Sequence, residues 1–190
     1  MPTLYFSPNS RSDTVVTLVR MLSADIALRE VSIARQDGSG VRDPANPHPE
    51  GKVPYLIDGD DAVRERGAII LYLTDAYPDA GLGPVVGEPG RGAYLSWLSY
   101  YQGVMEPLLI LKWANVDHPA INAGLRDFDT TIERLAEPLR RGPWLLGERF
   151  SAADMLCSSP FLWFTAMMPD EPVVRDWVAR CKERMSRVAA

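Results

Sequence analysis

The stretch GKVPYL, residues 51–56, opens an apolar run that continues to Ile57 and contains a proline, Pro54. Such a run predicts a buried β-strand, but a proline has no backbone N–H and belongs on a sheet edge or at a bulge. If the bond before Pro54 is cis, the chain turns sharply, and the N–H and C=O of Val53 face outward, free to pair with an extended peptide. The alternative is a trans proline on an edge strand, since trans dominates among X–Pro bonds in general.

Strand and helix patterns alternate on both sides of this run within the first 78 residues. Residues 3–7 (TLYFS) form a β-type run that ends in a turn signal, and apolar residues from Val15 to Leu22 recur at helical spacing. The turn Asp58-Gly59-Asp60 joins two strands as a hairpin. In chain order, the predicted elements are a strand at 3–7, a helix over 15–22, strands at 26–33, 53–57 and 61–65, and a helix over 68–76, with a loop over 34–52.

The stretch 78–90 (PDAGLGPVVGEPG) is rich in proline and glycine and has no periodicity, which predicts a linker. The chain beyond it has helical patterns only, and Ser151 and Asp154 have the spacing of a capping box at the start of one helix. We therefore predict an α/β domain at 1–78, a linker at 79–90 and an all-helical domain at 91–190. The predicted helices cover 91–115, about 119–141, 151–167 and 171–188, with kinks at Pro107 and Pro160.

Composition argues against several classes of function. The net charge of −5 over 190 residues disfavours a general nucleic-acid binder. The N-terminus has no signal-peptide pattern and no apolar run is as long as a membrane span, so we expect no membrane partner. The two cysteines form no disulfide framework, so we expect a reducing, cytoplasmic compartment. Cys157 and Cys181 form no CxxC pair, and His48 and His118 are the only histidines, so no metal site is expected.

Ser10 lies in the turn SPNSRSD (7–13) that joins the first strand to the first helix. Unpaired N–H groups and the helix dipole favour negative charge there, and a hydroxyl is a suitable hydrogen-bond donor to a thiolate. The competing interpretation is structural: Ser10-x-x-Asp13 is a capping box, which would use the hydroxyl on the helix itself.

Glu65 and Arg66 fall where a strand passes into a helix, again at the positive end of a dipole. Backbone N–H groups at that position could capture the carboxylate of a ligand. The alternatives are that Glu65 only complements the dipole and that Arg66 is only a solvated surface charge.

Four segments taken together resemble the cytosolic glutathione transferases, and the likeness spans almost the whole chain. They are similar, in order, to the family's first strand and active-site turn, its Gly-Lys-Val-Pro segment, the start of its second helix, and its C-terminal capping motif. The four segments are LYFSPNSRS (4–12), NPHPEGKVPYL (46–56), ERGAIILYLTDAYP (65–78) and WLLGERFSAADM (144–155).

This resemblance implies a thioredoxin-like N-terminal domain, an all-helical C-terminal domain and a homodimer. It implies that Pro54 is cis and that the backbone of Val53 pairs with the cysteinyl part of glutathione. It also places Lys52 beside the glycyl end of glutathione and Glu65 near the γ-glutamyl amine.

The resemblance also assigns a catalytic residue, the serine of the bacterial-like, serine-using classes. Ser10 aligns best with it, and Ser12 and Tyr5 are close enough to compete. The chain departs from the family at Arg66, where a serine usually binds the γ-glutamyl carboxylate. Arg66 could hold that carboxylate through a charge-assisted bond, or could fold over the site and obstruct it.

The function implied is a glutathione transferase of the detoxification type, which adds the glutathione sulfur to a small hydrophobic electrophile. Tyr101, Met105 and Trp113 on helix 91–115 are candidates for the acceptor pocket, and core packing is the alternative for each. Two other functions remain open: a non-catalytic glutathione-transferase-like binding or scaffold protein, and a glutathione-dependent isomerase or reductase. The lack of any cysteine in residues 1–90 disfavours a mechanism that uses a protein thiol.

Overall fold

The computed structural model describes residues 1–188 and contains one mixed sheet of four short strands. The central strand β1 pairs in parallel with β2 and antiparallel with β3, and β3 pairs antiparallel with β4. Leu4 lies opposite Leu56 in this register, and both side chains are fully buried. The strands are β1 (Thr3–Phe6), β2 (Ala27–Glu30), β3 (Tyr55–Asp58) and β4 (Asp61–Val63), in the spatial order β2-β1-β3-β4.

Two helices complete the N-terminal unit, α1 (Asp13–Met21) and α2 (Arg66–Ala76). They pack against each other, and α1 also packs against β1. Val15 and Leu18 of α1 are fully buried, which is the face that the helical spacing predicts. The predicted second strand is shorter than residues 26–33, because the chain makes one further bond to β1, from Val31 N to Phe6 O, and then leaves the sheet.

Within residues 91–188, six helices form the C-terminal unit, so the predicted α/β plus all-helical fold class is confirmed. The stretch 78–90 is irregular apart from one 3₁₀ turn, as expected for a connection. The helices are α3 (Arg91–Tyr100), α4 (Glu106–Trp113), α5 (Pro119–Gly124), α6 (Phe128–Leu139), α7 (Ala152–Trp163) and α8 (Pro172–Ser186), with 3₁₀ turns at Pro78–Ala80 and Thr165–Met167.

Two of the predicted long helices are interrupted. The helix predicted at 91–115 contains a π-helical turn at Tyr101–Met105, directly before Pro107, whose missing N–H cannot continue the regular ladder. The helix predicted at 119–141 is two helices, because Asp127 is extended and caps α6, its Oδ1 accepting from Thr130 N at 2.7 Å.

Helix α7 is the central element of the C-terminal unit. Its predicted capping box is confirmed: Asp154 Oδ2 accepts from Ser151 N at 2.9 Å, and its Oδ1 accepts from Leu145 N and Trp177 Nε1, both at 2.9 Å. Burial raises the pKa of Asp154. Helix α7 also contacts α1 and α2 of the N-terminal unit. Its C-terminal end therefore lies at the cleft between the two units.

Candidate functional site

Two adjoining cavities, of about 370 and 420 Å³, lie between the N-terminal unit on one side and the π-helical turn Tyr101–Met105, α4 and α7 on the other. The first is polar, and its further lining includes His48, Glu50 and Glu65. The second includes Ser10 and a large apolar wall. Both cavities share one set of lining residues, namely Arg11, Lys52, Val53, Arg66, Glu106 and Ile110. The site is therefore a polar cleft that leads into an apolar one.

Val53 lines both cavities, and the Val53–Pro54 peptide bond is cis, as the resemblance implies. Strand β3 begins only at Tyr55, and within residues 1–188 neither the N–H nor the C=O of Val53 makes a hydrogen bond. The neighbouring carbonyl of Lys52 is occupied, since it accepts from Asn46 Nδ2 at 3.2 Å. Val53 thus offers one donor and one acceptor to an extended ligand.

The start of α2 forms one end of the polar cavity. Glu65, the N-cap residue, has φ 65°, a left-handed conformation that is uncommon for residues other than glycine. Its carbonyl accepts from Ile69 N at 2.9 Å, and no side chain caps the helix. The first backbone N–H groups, those of Arg66 and Gly67, have no partner within the helix and favour an anion.

The side chain of Arg66 points away from this helix end into the interface with the C-terminal unit, where it is only 5% exposed. Its guanidinium donates to the Tyr101 hydroxyl, to Ser159 Oγ at 3.2 Å and to Glu106 Oε1 at 3.2 Å. It also lies over the Tyr101 ring, 4.7 Å from the centroid. Arg66 therefore fastens α2 to α4 and α7, and burial raises the pKa of Tyr101.

Ser10 lies in a cluster of polar groups at the start of α1. Its Oγ donates to Ser7 O at 2.7 Å, lies 2.6 Å from Ser12 Oγ and accepts from Ser12 N at 3.1 Å. The N-cap of α1 is Ser12, whose side chain caps nothing, but the preceding turn forms part of the predicted capping box. Asp13 N donates to Ser10 O at 3.1 Å, and the Asp13 carboxyl accepts from the backbone N–H of Ser10. The structural interpretation of Ser10 is therefore supported in part, since its Oγ accepts from a backbone N–H at the start of α1, and Ser10 also lines the cleft.

The other two candidates for the catalytic hydroxyl line neither cavity. Ser12 is fully buried, and its Oγ accepts from Ser7 N and donates to Ser7 O, each at 3.0 Å. The Tyr5 ring instead lies beside Tyr55 and under the guanidinium of Arg29. Of the three residues, Ser10 is the one that the structure places at the cleft.

The residues predicted for the acceptor pocket have different positions. Trp113 is 54% exposed and lines the apolar cavity, whereas Tyr101 lines it from an almost fully buried position. Met105 is fully buried in the core and lines neither cavity, so its placement in the pocket is corrected to core packing. Trp163, the last residue of α7, is 44% exposed and also lines this cavity.

Sequence reasoning missed three charged residues of the cleft. Arg11 forms an ion pair with Glu106 across the two units, and Glu106 also binds Arg66. Arg35 holds the turn that carries Ser10, donating to Asn9 O at 2.7 Å and Pro8 O at 2.6 Å. These residues lack a motif, and only the folded chain brings them together.

The histidines, cysteines and acidic residues were candidates for two further kinds of site, a metal site and a reactive protein thiol. Among residues 1–188 there is no group of three or more His, Cys, Asp or Glu side chains that could bind a metal ion. Cys157 and Cys181 are buried, and burial raises the pKa of both thiols. His48 lines the polar cavity, its Nδ1 accepting from Glu50 N at 3.0 Å, and burial lowers its pKa. In the described part of the chain, no helix combines the length and apolar character needed to cross a membrane.

Comparison with protein-family models gives two matches. The model for the N-terminal domain of glutathione S-transferases matches residues 2–84, and that for the C-terminal domain of the same family matches residues 118–181. Together they cover well over half of the chain, on both sides of the cleft.

Curated relatives and solved structures agree with these matches. The chain is 26% identical to disulfide-bond oxidoreductase YfcG of Escherichia coli (strain K12), covering 95% of this chain and 90% of the relative. It is 25% identical to glutathione S-transferase GstA of Escherichia coli O157:H7, covering 86% and 83%. A glutathione transferase structure from Methylococcus capsulatus superposes with a TM-score of 0.77 at 26% identity, covering 100% and 99% of the two chains. A sphingomonad glutathione S-transferase complexed with glutathione shares the fold, with a TM-score of 0.74 at 22% identity and 98% coverage of each chain.

Proposed function

Because the chain belongs to the glutathione S-transferase family, we propose that it binds glutathione and transfers its sulfur to a small hydrophobic electrophile. The N-terminal unit has the family's thioredoxin-like fold, and the C-terminal unit has its helical fold. One observation carries the proposal: the unpaired backbone of Val53 and the hydroxyl of Ser10 line the same cleft.

Glutathione fits the polar groups of this cleft in an extended pose. The N–H and C=O of Val53 pair with its cysteinyl unit as an added strand does. Lys52 is exposed and forms no ion pair within residues 1–188, so its ammonium is available for the glycyl carboxylate. The start of α2 takes the γ-glutamyl carboxylate on the N–H groups of Arg66 and Gly67, and Glu65 takes the amine.

Arg66 contributes to this site through its backbone N–H and through the packing of its side chain. Its guanidinium already has three partners across the interface, so its side chain holds the cleft together instead of capturing the ligand carboxylate. The family's usual serine would place a hydroxyl at this helix end, and here the backbone N–H takes that role.

Ser10 stabilises the glutathione thiolate by donating its hydroxyl proton to the sulfur. Ser12 Oγ already donates to Ser7 O at 3.0 Å, so that carbonyl keeps a partner when the Ser10 proton turns towards the cleft. Lowering a thiol pKa by two units requires about 2.7 kcal/mol. One hydroxyl and the adjacent end of α1 are of that order.

The transfer step forms one carbon–sulfur bond. The thiol proton leaves to solvent when glutathione binds, and the sulfur lone pair then attacks the electrophilic carbon of an acceptor in the apolar cavity. With an aryl halide, the carbon–halogen bond breaks and halide leaves with its electron pair. The two cavities hold nucleophile and acceptor next to each other, which lowers the entropic part of the barrier.

A second candidate function is glutathione-dependent disulfide reduction, which the similarity to YfcG supports. Both cysteines of this chain are buried, so the electrons for such a reaction would come from two glutathione thiols and not from a protein thiol. A non-catalytic binding protein and a glutathione-dependent isomerase are the remaining alternatives.

Calorimetry with glutathione and a conjugation assay with a chlorodinitrobenzene test the proposal together. Binding with conjugation supports the transferase, and binding with reduction of a glutathione mixed disulfide alone supports the reductase. Binding without either activity supports a binding protein, and no binding overturns the proposal. Family membership further supports a homodimer in the cytoplasm with a detoxification role, and sedimentation of the purified protein tests the dimer.

A further inference from the structure

The apolar cavity has an aromatic wall that is left open to a ligand. Trp113 and Phe164 are about half exposed, and their ring centroids lie 6.2 Å apart at a tilt of 37°. Large apolar side chains are seldom grouped at the surface without a partner. Flat rings of this kind pack best against another flat ring. The wall consists of Ile33, Leu109, Ile110, Trp113, Trp163 and Phe164.

The charged side chains of the same cavity are mostly basic. Four cationic residues line it and one carboxylate does, and that carboxylate, Glu106, is already bound by two of the cations. The group Arg11–Glu106–Arg66 therefore keeps one positive charge in excess. The four cationic residues are Arg11, Arg35, Lys52 and Arg66.

Arg35 adds a second positive charge that no acid neutralises within the cavity. Its guanidinium donates to the carbonyls of Pro8 and Asn9 and to Ser7 Oγ, and it forms no ion pair within residues 1–188. Asp13 and Asp37, whose carboxyls both feel the charge of Arg35, do not line the cavity. Glutathione uses Lys52 and contributes one thiolate charge near Ser10. A net positive charge then remains for a second anion.

We propose that the acceptor substrate is an aromatic electrophile that bears an acidic group, such as a carboxylate or a sulfonate. The ring packs on Trp113 and Phe164, and the acid faces Arg11 and Arg35. The conjugation of this acceptor rests on the proposed transferase function, whereas its binding in the apolar cavity does not. In the reaction the sulfur attacks the ring carbon that bears the leaving group, that group departs with its electron pair, and the acid is unchanged.

Matched ligands test the acid directly. The probes are meta-nitrobenzoate and meta-nitrobenzamide, which differ in charge but hardly in shape and carry no leaving group. Each is titrated into the protein saturated with S-methylglutathione, and quenching of tryptophan fluorescence reports the filling of the wall. We expect the benzoate to bind about fivefold more tightly than the benzamide, and the preference to shrink with added salt.

Two variants shift the preference in opposite directions. Arg11→Gln removes one of the two excess positive charges, since S-methylglutathione brings no thiolate charge, so the ratio of the two dissociation constants falls. Glu106→Gln removes the single carboxylate of the cavity, so the ratio rises. Arg20→Gln, an equal charge change at the exposed end of α1 away from both cavities, leaves the ratio unchanged. Each ratio is taken within one variant, so changes in glutathione affinity cancel.

Equal affinity for the two probes in the unmodified protein overturns the inference, as does an equal fall of the ratio in Arg11→Gln and Arg20→Gln. Calorimetry with S-methylglutathione alone decides the proposed function separately. If that ligand does not bind, the transferase account fails, and the two probes are compared on the protein without it. A benzoate preference that responds to Arg11 and Glu106 then still identifies the cavity as a site for aromatic acids.

Discussion

The hydroxyl oxygens of Ser10 and Ser12 lie 2.6 Å apart and share the carbonyl of Ser7 as an acceptor. Ser12 is fully buried, while Ser10 lines the cleft. The Ser12 hydroxyl therefore only holds the turn, whereas the Ser10 hydroxyl can also reach a ligand. Removing each hydroxyl should therefore give a different result.

Ser10→Ala should impair activation of glutathione and leave the fold intact. Loss of one hydroxyl bond to the thiolate is worth about 1.5–3 kcal/mol, or roughly one to two units in the apparent pKa of the bound thiol. Because the variant raises the pKa of the bound thiol, a smaller fraction of it is ionised at neutral pH. Turnover therefore falls about ten- to a hundredfold at neutral pH and recovers as the pH rises. The thiolate's ultraviolet absorbance over a pH series measures the shift. An unchanged pH profile would assign Ser10 a structural role.

Ser12→Ala should mainly lower stability, because it leaves the buried N–H of Ser7 without its acceptor. The free energy of unfolding should fall by about 1–3 kcal/mol. Urea denaturation measures it, with Ser96→Ala as the control, since Ser96 is exposed on α3. Equal midpoints for the two variants would show that the Ser12 cluster contributes nothing to stability.

Arg66→Ser should loosen the interface between the two units. It removes the donor to Tyr101, Ser159 and Glu106, and buried groups left without partners cost about 1–3 kcal/mol. Urea denaturation should show this loss, while the neighbouring exposed residue provides the control Arg64→Ser, with little change. A variant as stable as the parent, with tighter glutathione binding, would mean that the Arg66 side chain obstructs the site.

Lys52→Ala should weaken glutathione binding more than it slows the chemical step. The KM for glutathione should rise about fivefold with kcat nearly unchanged, since Lys52 meets the glycyl end, far from the sulfur. Steady-state kinetics in glutathione provide the measurement, and Lys182→Ala on the exposed face of α8 is the control. A fall in kcat at unchanged KM would instead place Lys52 near the sulfur of glutathione.

Local chemistry made part of this molecule predictable from its sequence. The capping box of Ser151 and Asp154 follows from a spacing of three residues, and the cis bond before Pro54 was one of two alternatives that the sequence raised and the one that the family resemblance favoured. Helix positions from Val15 to Leu22 followed from periodicity alone. Each of these features depends on residues that are near one another in the chain.

The features that were missed depend on contacts between distant segments. Arg11 and Glu106 meet although 95 positions separate them, and Arg66 meets Ser159 across 93 positions. No spacing rule relates such pairs. In addition, the helix predicted at 119–141 is broken by a cap at Asp127 that periodicity did not indicate.

The central claim is that the unpaired backbone of Val53 receives glutathione. Nuclear magnetic resonance of the ¹⁵N-labelled protein during titration with S-methylglutathione tests it at the atom concerned. We predict that the Val53 amide proton shifts downfield and exchanges more slowly with solvent as the ligand saturates. A Val53 amide whose shift and exchange rate stay unchanged at saturation would contradict the account.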